Sequence, residues 1–253
     1  MDTGKLKSAA IIILLCVNLA FGGILIFDGV SNAGAEARER AQLTDIFAEN
    51  GIEISPGTIP RRCRLQTHGV VRSKAGEAEL VSLLIGQAEE QDQGGNIYYY
   101  ENAQGWVRFR SSGSFEACLY DDARSEGELL TAVGAAPSGF DGRYAYYCGK
   151  YEIFNCGAEA ERTDEGMTLS GRRLMGEPGP GRAGEYLSMS TVLMRFLERV
   201  IGEGIVCTRI DDISPGYMMS VTAASAELRP VWRISADSGV YCIWADSGEA
   251  ATE

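Results

Sequence analysis

The longest apolar segment of the chain runs from Ala9 to Phe27 and contains no charged side chain. As a helix, this segment would be roughly 28 Å long, which is close to the hydrocarbon thickness of a bilayer. A helix also satisfies its own backbone hydrogen bonds inside lipid. The pattern therefore predicts a single transmembrane helix over residues 9–27, retained as an anchor. The alternative interpretation is a signal peptide that is cleaved near Ala33-Gly34-Ala35.

The charges that flank this segment predict its orientation. Lys5 and Lys7 precede it, and Asp28 follows it. Because positively charged flanks stay on the cytoplasmic side, residues 1–8 are expected in the cytoplasm. Everything from Asp28 onward is then expected outside the cell, as an extracellular domain carried by a single-pass membrane protein.

A second periodic segment follows at residues 35–50. Leu43, Ile46 and Phe47 fall on one face of the helix that this segment predicts, and Gly51 provides a C-terminal stop. The segment is either a simple stalk or a coupling helix that docks on a neighbouring membrane protein. Together with the linker up to Pro60, it makes residues 28–60 a juxtamembrane region.

From residue 61 the pattern changes to short strands separated by three amphipathic helices. The helices are predicted at Ala75–Ile85, at a segment that begins with the capping box Ser125–Glu128, and at Met189–Ile201. Strands are predicted at Asn96–Tyr100, Trp106–Arg110, Phe115–Tyr120, Arg143–Cys148, Tyr151–Cys156, Met167–Arg172, Ile205–Ile210, Tyr217–Thr222, Pro230–Ser235 and Val240–Ala245.

The order of these elements, a helix followed by a β-meander, recurs three times. Short hairpin connections leave no room for parallel crossovers, so the sheets are expected to be antiparallel with helices packed on one face. The predicted fold class is α+β: a single N-terminal transmembrane helix followed by an ectodomain of helix-plus-meander units. Its first unit is expected at residues 61–123 and its second part at residues 124–253.

Composition narrows the classes of partner. The chain carries 35 acidic against 23 basic residues, a formal net charge of −12. This charge argues against binding to nucleic acid. Cys63, Cys118, Cys148, Cys156, Cys207 and Cys242 are spread singly along the chain, mostly within apolar runs, which favours buried thiols over disulfides or a metal site.

The residues with chemical potential form no catalytic pattern. His68 is the single histidine and sits beside no nucleophile motif, so it is interpreted as an ordinary strand or surface residue. Asp121-Asp122 and Asp211-Asp212 lie where strands are expected to give way to turns. The run Gly179–Gly184 matches G-x-G-x-x-G without the parallel context that a dinucleotide site needs, and is interpreted as a surface loop. We therefore predict that the chain is not an enzyme and that it uses no cofactor or metal.

Two tyrosine clusters complete this survey. Tyr98-Tyr99-Tyr100 and the set Tyr144, Tyr146 and Tyr147 lie on predicted strands. Because side chains alternate along a strand, half of each set is expected in the core and half on the surface.

The segment from Ile210 onward resembles the closing segment of the YycI/YycH-type regulators, which are associated with the WalK (YycG) sensor kinase of Gram-positive bacteria. The matching features are Gly216-Tyr217, the run Leu228–Ile234, and Tyr241 followed by Asp246–Glu249. PepSY-like domains end similarly, with a strand, a tight turn and a last strand. The basic start, the apolar segment and the charged helix that ends in Asn50-Gly51-Ile52 also look like the opening of the YycI/YycH family.

This resemblance implies a regulator in signal transduction that acts through contacts. Its expected partners are a sensor histidine kinase and a paralogous regulator in the membrane, with no small-molecule cofactor. Asn18 and Gly22 are the candidate partner-binding residues, since an amide within a bilayer favours a protein neighbour and a glycine one turn away permits close helix approach. The alternative is a PepSY-like envelope binding module, or an inhibitor of a secreted peptidase, that uses an exposed strand edge.

Overall fold

The computed structural model describes residues 36–60, 65–140, 142–222 and 225–251. Within these ranges the chain forms four helices and 14 strands, and all the strands belong to one sheet. The helices are α1 (36–49), α2 (Lys74–Ile85), α3 (Glu126–Ala132) and α4 (Met189–Gly202). The strands are β1 (Glu53–Ile54), β2 (Thr67–Val70), β3 (Glu89–Asp92), β4 (Tyr98–Asn102), β5 (Gly105–Phe109), β6 (Ser114–Leu119), β7 (Ala136–Pro137), β8 (Tyr144–Cys148), β9 (Tyr151–Thr163), β10 (Gly166–Arg172), β11 (Pro178–Arg182), β12 (Arg209–Val221), β13 (Ala226–Ala236) and β14 (Gly239–Trp244).

The predicted fold class is wrong. The expectation was a transmembrane helix followed by separate helix-plus-meander units, whereas the described residues form a mostly β fold around a single sheet. None of the helices in those residues is long and apolar enough to cross a membrane. The predicted span itself, Ala9 to Phe27, lies outside the described residues. The predicted division into separate helix-plus-meander units is wrong because strands from distant parts of the chain pair with one another.

A long hairpin of β12 and β13, here called the ribbon, organises the sheet. The two strands pair antiparallel along nearly their whole length, from Ile210 opposite Ala236 to Val221 opposite Ala226. Toward its turn, the ribbon is flanked by β2 and β9; toward its open end, it is flanked by β1 and β14. The ribbon is therefore shared by the two halves of the sheet.

Each half of the ribbon contributes to a different hydrophobic core. The first core packs α2 and α3 on the inner face of the sheet and receives Tyr217, Met219 and Leu228 from the ribbon. The second core packs α1 and α4 against the other end of the ribbon. Its fully or nearly fully buried members include Phe47, Ile52, Ile59, Val192, Leu193, Phe196, Ile234 and Ile243.

Helix α1 packs against its own chain. The face predicted from the sequence is correct, since Leu43 and Phe47 are buried in the second core and Ile46 packs against it. The helix ends as expected before Gly51, whose φ of 77° is in the left-handed region that favours glycine. This apolar face is therefore occupied within the chain.

Local sequence signals are confirmed where they specify hairpins and helix ends. Short hairpins join β4 to β5 between Asn102 and Gly105 and β8 to β9 between Cys148 and Tyr151, as the short gaps between the predicted strands indicated. Helix α3 begins with the capping box between Ser125 and Glu128. The closing hairpin also forms as expected, with Ala236 opposite Gly239.

Two expectations about strands are wrong. Tyr217–Thr222 was predicted as a strand separate from Ile205–Ile210, but the single strand β12 runs through the turn-forming residues between them. Purely antiparallel pairing also fails, because β1 and β9 each pair with β12 in the parallel sense.

Candidate functional site

His68 has a structural role on β2. Its Nδ1 lies 2.9 Å from the carbonyl oxygen of Gly179, and a carbonyl can only accept, so this nitrogen carries the proton. The ring also meets the Tyr217 ring edge-on at 5.8 Å between centroids. His68 therefore lies on a strand, one of the two positions expected for it.

The two aspartate pairs have separate local roles. Asp122 follows β6 and accepts hydrogen bonds from the backbone N–H and the guanidinium of Arg124, which hold the pKa of its carboxyl below the ordinary value. Asp211 is the extra residue of a bulge in β12, and it pairs with Arg209 at 2.6 Å. The expected turn is correct for the first pair and wrong for the second.

The glycine-rich run forms a terminal strand of the sheet. Residues Pro178–Arg182 are β11, which pairs antiparallel with β2. The interpretation as a surface loop is wrong. A dinucleotide fingerprint needs a parallel strand before it and a helix after it, and this run has an antiparallel partner on an edge.

The tyrosines alternate as predicted. Tyr98 and Tyr100 are buried on the inner face of β4, while Tyr99 lies on the outer face with its ring stacked at 6.0 Å from that of Trp106. On β8, Tyr146 is buried and Tyr147 is exposed, and burial raises the pKa of Tyr146 to about 12.

The cysteines outside the apolar segment are mostly buried thiols, as expected. Cys118 and Cys207 are buried and Cys148 is half-buried; burial raises the pKa of all three. Cys156 is also buried, in a part of β9 where a bulge interrupts the pairing with β8. Cys16 and Cys63 lie outside the described residues, as do the candidate contacts Asn18 and Gly22. Among the described residues, no group of three or more metal-ligating side chains is placed to hold a metal ion.

An open groove lies between α2 and β3. It has a volume of about 700 Å³, and small side chains of α2 and of the segment before β3 line it: Ala78, Ser82, Gly86 and Ala88. Ala78 and Ser82 are exposed. β3 is the terminal strand on this side of the sheet and pairs only with β4 among the described residues. The groove therefore lies at this end of the sheet, where α2 meets β3 and β4.

One end of the groove is fixed by Asn102. Its side-chain amide donates to the carbonyl oxygens of Ile85 at 2.7 Å and Gln87 at 3.0 Å. These carbonyls belong to the last turn of α2 and to the connection that follows it, where helix carbonyls lack partners within the helix. Asn102 thereby joins the end of α2 to the β4–β5 turn.

Glu90 bridges β3 to the first turn of α2. Lys74 donates to one carboxylate oxygen at 2.6 Å, and the Tyr100 hydroxyl donates to the other at 2.7 Å. The hydrogen bond with Lys74 lowers the pKa of Glu90 and raises the pKa of Lys74. An exposed ion pair adds little stability, so its main effect is to position β3 relative to the helix.

Beneath this bridge lies a buried ion pair. The Glu77 side chain is fully buried, and the Arg72 Nε donates to its Oε1 at 2.5 Å. Arg72 also donates to the backbone carbonyl of Asn96 at 3.2 Å, and its guanidinium lies over the Tyr98 ring. The first turn of α2 is thus connected to the loop between β3 and β4.

The edge of β3 carries an unfavourable charge arrangement. Glu89 on β3 is directly opposite Glu101 on β4, and both line the groove. No ion pair links either carboxylate to a described arginine or lysine. Like charges at directly opposite positions destabilise a strand pair. This arrangement favours the approach of a positively charged group.

A second polar cluster surrounds Arg233, whose guanidinium contacts two aromatic rings and a carboxylate. Its guanidinium lies 4.1 Å from the ring centroid of Phe140 and 4.4 Å from that of Phe154, and it pairs with Glu152 at 3.3 Å. The Ser138 hydroxyl also donates to Glu152. The cluster fastens the β7–β8 loop and β9 to the ribbon, so we assign it a structural role.

We compared the chain with protein-family models, curated proteins and solved structures. No family model matches the chain, and no curated protein matches it. Among solved structures, an uncharacterized protein from Eubacterium rectale ATCC 33656 is similar, with a TM-score of 0.45 and 10% sequence identity over 75% of this chain and 85% of that chain. A similarity at this level carries no argument about function.

Sequence reasoning missed the groove because β3 has no strand pattern. Its residues, Glu89–Asp92, are all polar and all exposed, so they show no alternation. The available signals were the Ser73 cap of α2, the glycine after Ile85 and the confirmed β4–β5 hairpin. Together these place a helix end beside a strand, but they do not place a strand at residues 89–92.

Proposed function

We propose that this chain regulates a sensor histidine kinase in the membrane by protein–protein contact, without chemistry of its own. A paralogous regulator is the second partner in this proposal. The resemblance of the opening and closing segments to YycI/YycH-type proteins motivates the choice of kinase. The prediction that the chain is held at the cell membrane through residues 9–27 belongs to the same proposal.

The observation that carries the proposal is the packing of α1. This helix follows residues 9–27 after a short interval and buries Leu43 and Phe47 in the second core. The same core contains Trp232 and Ile234 of the ribbon, and the ribbon continues into the first core. Close-packed interiors transmit displacement, and in this proposal the two cores connect a contact on the sheet with a contact near the N-terminus. A regulator that works by contact needs such a link.

Co-purification of the full-length chain with a co-expressed YycG-type kinase tests this function. We expect the kinase to be recovered from detergent extracts with the tagged chain. Changing Asn18→Leu together with Gly22→Leu is expected to weaken recovery, whereas the matched control Ile11→Leu with Ile24→Leu is not. Absence of the kinase from every eluate contradicts the proposal. If the Asn18 and Gly22 double variant recovers as much kinase as the control double variant, these two residues are not part of the contact.

A second candidate function is favoured by the open edge of β3. A PepSY-like binding module or peptidase inhibitor would hold an extended segment of its target along such an edge. Titrating purified secreted peptidases with the full-length chain tests this function. Loss of peptidase activity in proportion to added chain favours the inhibitor, and unchanged activity with all of them contradicts it.

A further inference from the structure

We propose that the outer face of β5, β6 and β10 binds an acidic segment of a partner protein through Arg108, Arg110 and Arg172. These three side chains, with Glu116 and Ser114 between them, are here called the arginine face. The inference adds a contact surface and its chemistry to the proposed function. It does not depend on that function, because the acidic partner need not be a kinase.

Strand pairing brings the three arginines together around β6, which lies between β5 and β10. Arg108 on β5 is directly opposite Glu116. Arg172 on β10 is directly opposite Ser114, and the N–H of Arg110 donates to the Ser114 carbonyl oxygen at 2.9 Å from the other side. All five positions alternate with buried residues of the first core, so their side chains lie on the face opposite that core.

The arginine face carries more positive than negative charge. Arg108 and Arg110 both donate to the Glu116 carboxylate, the latter at 2.8 Å, and the hydrogen bond from Arg108 lowers the pKa of this carboxyl. Arg172 donates through Nε to the carbonyl oxygen of Ser112 at 3.1 Å, and it forms no ion pair within the described residues. Three guanidiniums therefore share one ion-paired carboxylate.

Charge complementarity specifies the partner. The chain has a formal net charge of −12, so most of its surface repels acidic groups. The arginine face has the opposite sign. Glu159 and Glu161 are exposed on the next strand, β9, and bound this face on one side. An acidic segment is therefore attracted to the arginine face and repelled beside it.

The side chains offer apolar as well as ionic contact. A guanidinium presents a planar fork of N–H donors that can bind a carboxylate through two hydrogen bonds. Trp106, two residues before Arg108 on β5, is partly exposed and stacks with Tyr99 at 6.0 Å between ring centroids. Arginine, tryptophan and tyrosine are enriched at the energetic centres of protein interfaces. This combination favours a protein segment over a small inorganic anion, which would not contact the aromatic rings.

Fluorescence anisotropy with the full-length chain in neutral detergent tests the inference. The probe is the labelled octapeptide Asp-Glu-Leu-Asp-Glu-Leu-Asp-Glu, and it is compared with a version in which every acidic residue is replaced by its amide. We expect saturable binding of the acidic peptide with a Kd below about 1 mM, weakening as salt is added. The amide peptide is expected to bind at least about tenfold more weakly, because it carries no charge for the guanidiniums to pair with.

A competition experiment identifies the class of partner. Unlabelled peptide and an oligogalacturonate, a chain of acidic sugars, are compared as competitors at equal concentrations of carboxylate groups. We expect the peptide to displace the probe at the lower concentration, because its leucines contact the rings of Trp106 and Tyr99.

Paired variants locate the binding. Arg172→Gln and Arg110→Gln are each expected to weaken peptide binding about tenfold, whereas Arg195→Gln, an equal charge change at an exposed position of α4, is expected to leave it unchanged. Glu159→Gln is expected to strengthen binding about twofold, and Glu198→Gln on α4 is its control. Urea midpoints close to that of the natural protein show that each variant is folded.

The inference is overturned by any of four results. These are no binding of the acidic peptide, equal binding of the amide peptide, better displacement by the oligogalacturonate, and equal effects of the β-sheet variants and their α4 controls. A dimer of the chain that is lost in Arg172→Gln would also overturn it, since a second copy would then occupy the face. Each result leaves the kinase co-purification free to succeed or fail.

Discussion

The side-chain amide of Asn155 pairs with the backbone of Met219 as a neighbouring strand would. Its Nδ2 donates to the Met219 carbonyl oxygen at 2.9 Å, and its Oδ1 accepts from the Met219 N–H at 2.8 Å. β9 and β12 pair directly only at Ile153 and Tyr217. The buried amide therefore extends the junction between β9 and the ribbon beyond the point where the strands pair.

Replacing Asn155 is expected to destabilise the fold strongly. Asn155→Leu keeps the approximate size but leaves the Met219 N–H and C=O buried without partners, which costs about 3 kcal/mol in free energy of unfolding. Urea denaturation measures this loss. Asn50→Leu is the control, since the Asn50 amide bonds only an exposed carbonyl at the end of α1 and its loss should stay within ~0.5 kcal/mol. Equal losses for the two variants would show that the pairing with Met219 adds no stability.

A methyl group at residue 216 should disturb the ribbon. A Cβ on Gly216 would lie 2.3 Å from Cζ of Phe154 and 2.7 Å from the backbone oxygen of Glu152. Gly216→Ala is therefore expected to lower the free energy of unfolding by about 1–3 kcal/mol. Gly139→Ala is the matched control, because no heavy atom lies within 4 Å of its added Cβ. A Gly216→Ala protein as stable as the control would contradict the close packing of Phe154 on the ribbon.

Truncating Phe47 should destabilise the second core. This side chain is fully buried, so Phe47→Ala is expected to cost about 3–5 kcal/mol. Because the ribbon belongs to both cores, we expect calorimetry to show one transition at lower temperature. The control Val206→Ala changes a residue that is 83% exposed and should leave the transition unmoved. A separate early transition in Phe47→Ala would mean that the two cores unfold independently.

Asp237 should make stability depend on pH in the acid range. It accepts hydrogen bonds from the Thr208 N–H and hydroxyl and from the Arg209 N–H, which lower its pKa to about 2. A carboxylate with a lowered folded-state pKa stabilises the fold above its ordinary pKa, and this stabilisation is lost as the pH falls toward the folded-state value. Asp237→Asn is therefore expected to be less stable than the natural protein at pH 7. The difference should shrink between about pH 4 and pH 2.

Urea titrations at several pH values measure this difference. The control is Asp45→Asn, an exposed residue of α1, which should show no such trend. A difference between Asp237→Asn and the natural protein that stays constant from pH 7 to pH 2 would rule out the ionised carboxylate as its source.

Local patterns account for what could be predicted from the sequence. The face of α1, the Ser125 capping box and the β4–β5 hairpin depend on residues a few positions apart, and these were predicted correctly. The fold class depends on pairings such as β2 with β13, which join residues far apart in the chain. No local periodicity encodes those pairings.

Turn-forming residues misled the prediction where tertiary contacts outweigh them. Asp211-Asp212 and Ser214-Pro215-Gly216 favour a turn, yet the chain stays extended because β13 pairs alongside and Phe154 packs over Gly216. The candidate groove was missed for the opposite reason. Glu89–Asp92 become a strand only through their partner β4, and nothing in their own composition indicates one.

The shared ribbon has a consequence for the order in which this protein can fold during synthesis. Helix α2 and the hairpin of β4 and β5 use nearby residues and can form early. Neither core, however, is complete before residues 209–236 are made. These residues supply Tyr217 and Leu228 to the first core, and Trp232 and Ile234 to the second. A nascent chain that has not yet reached β12 therefore leaves both cores incomplete, and the same two strands complete them at nearly the same time.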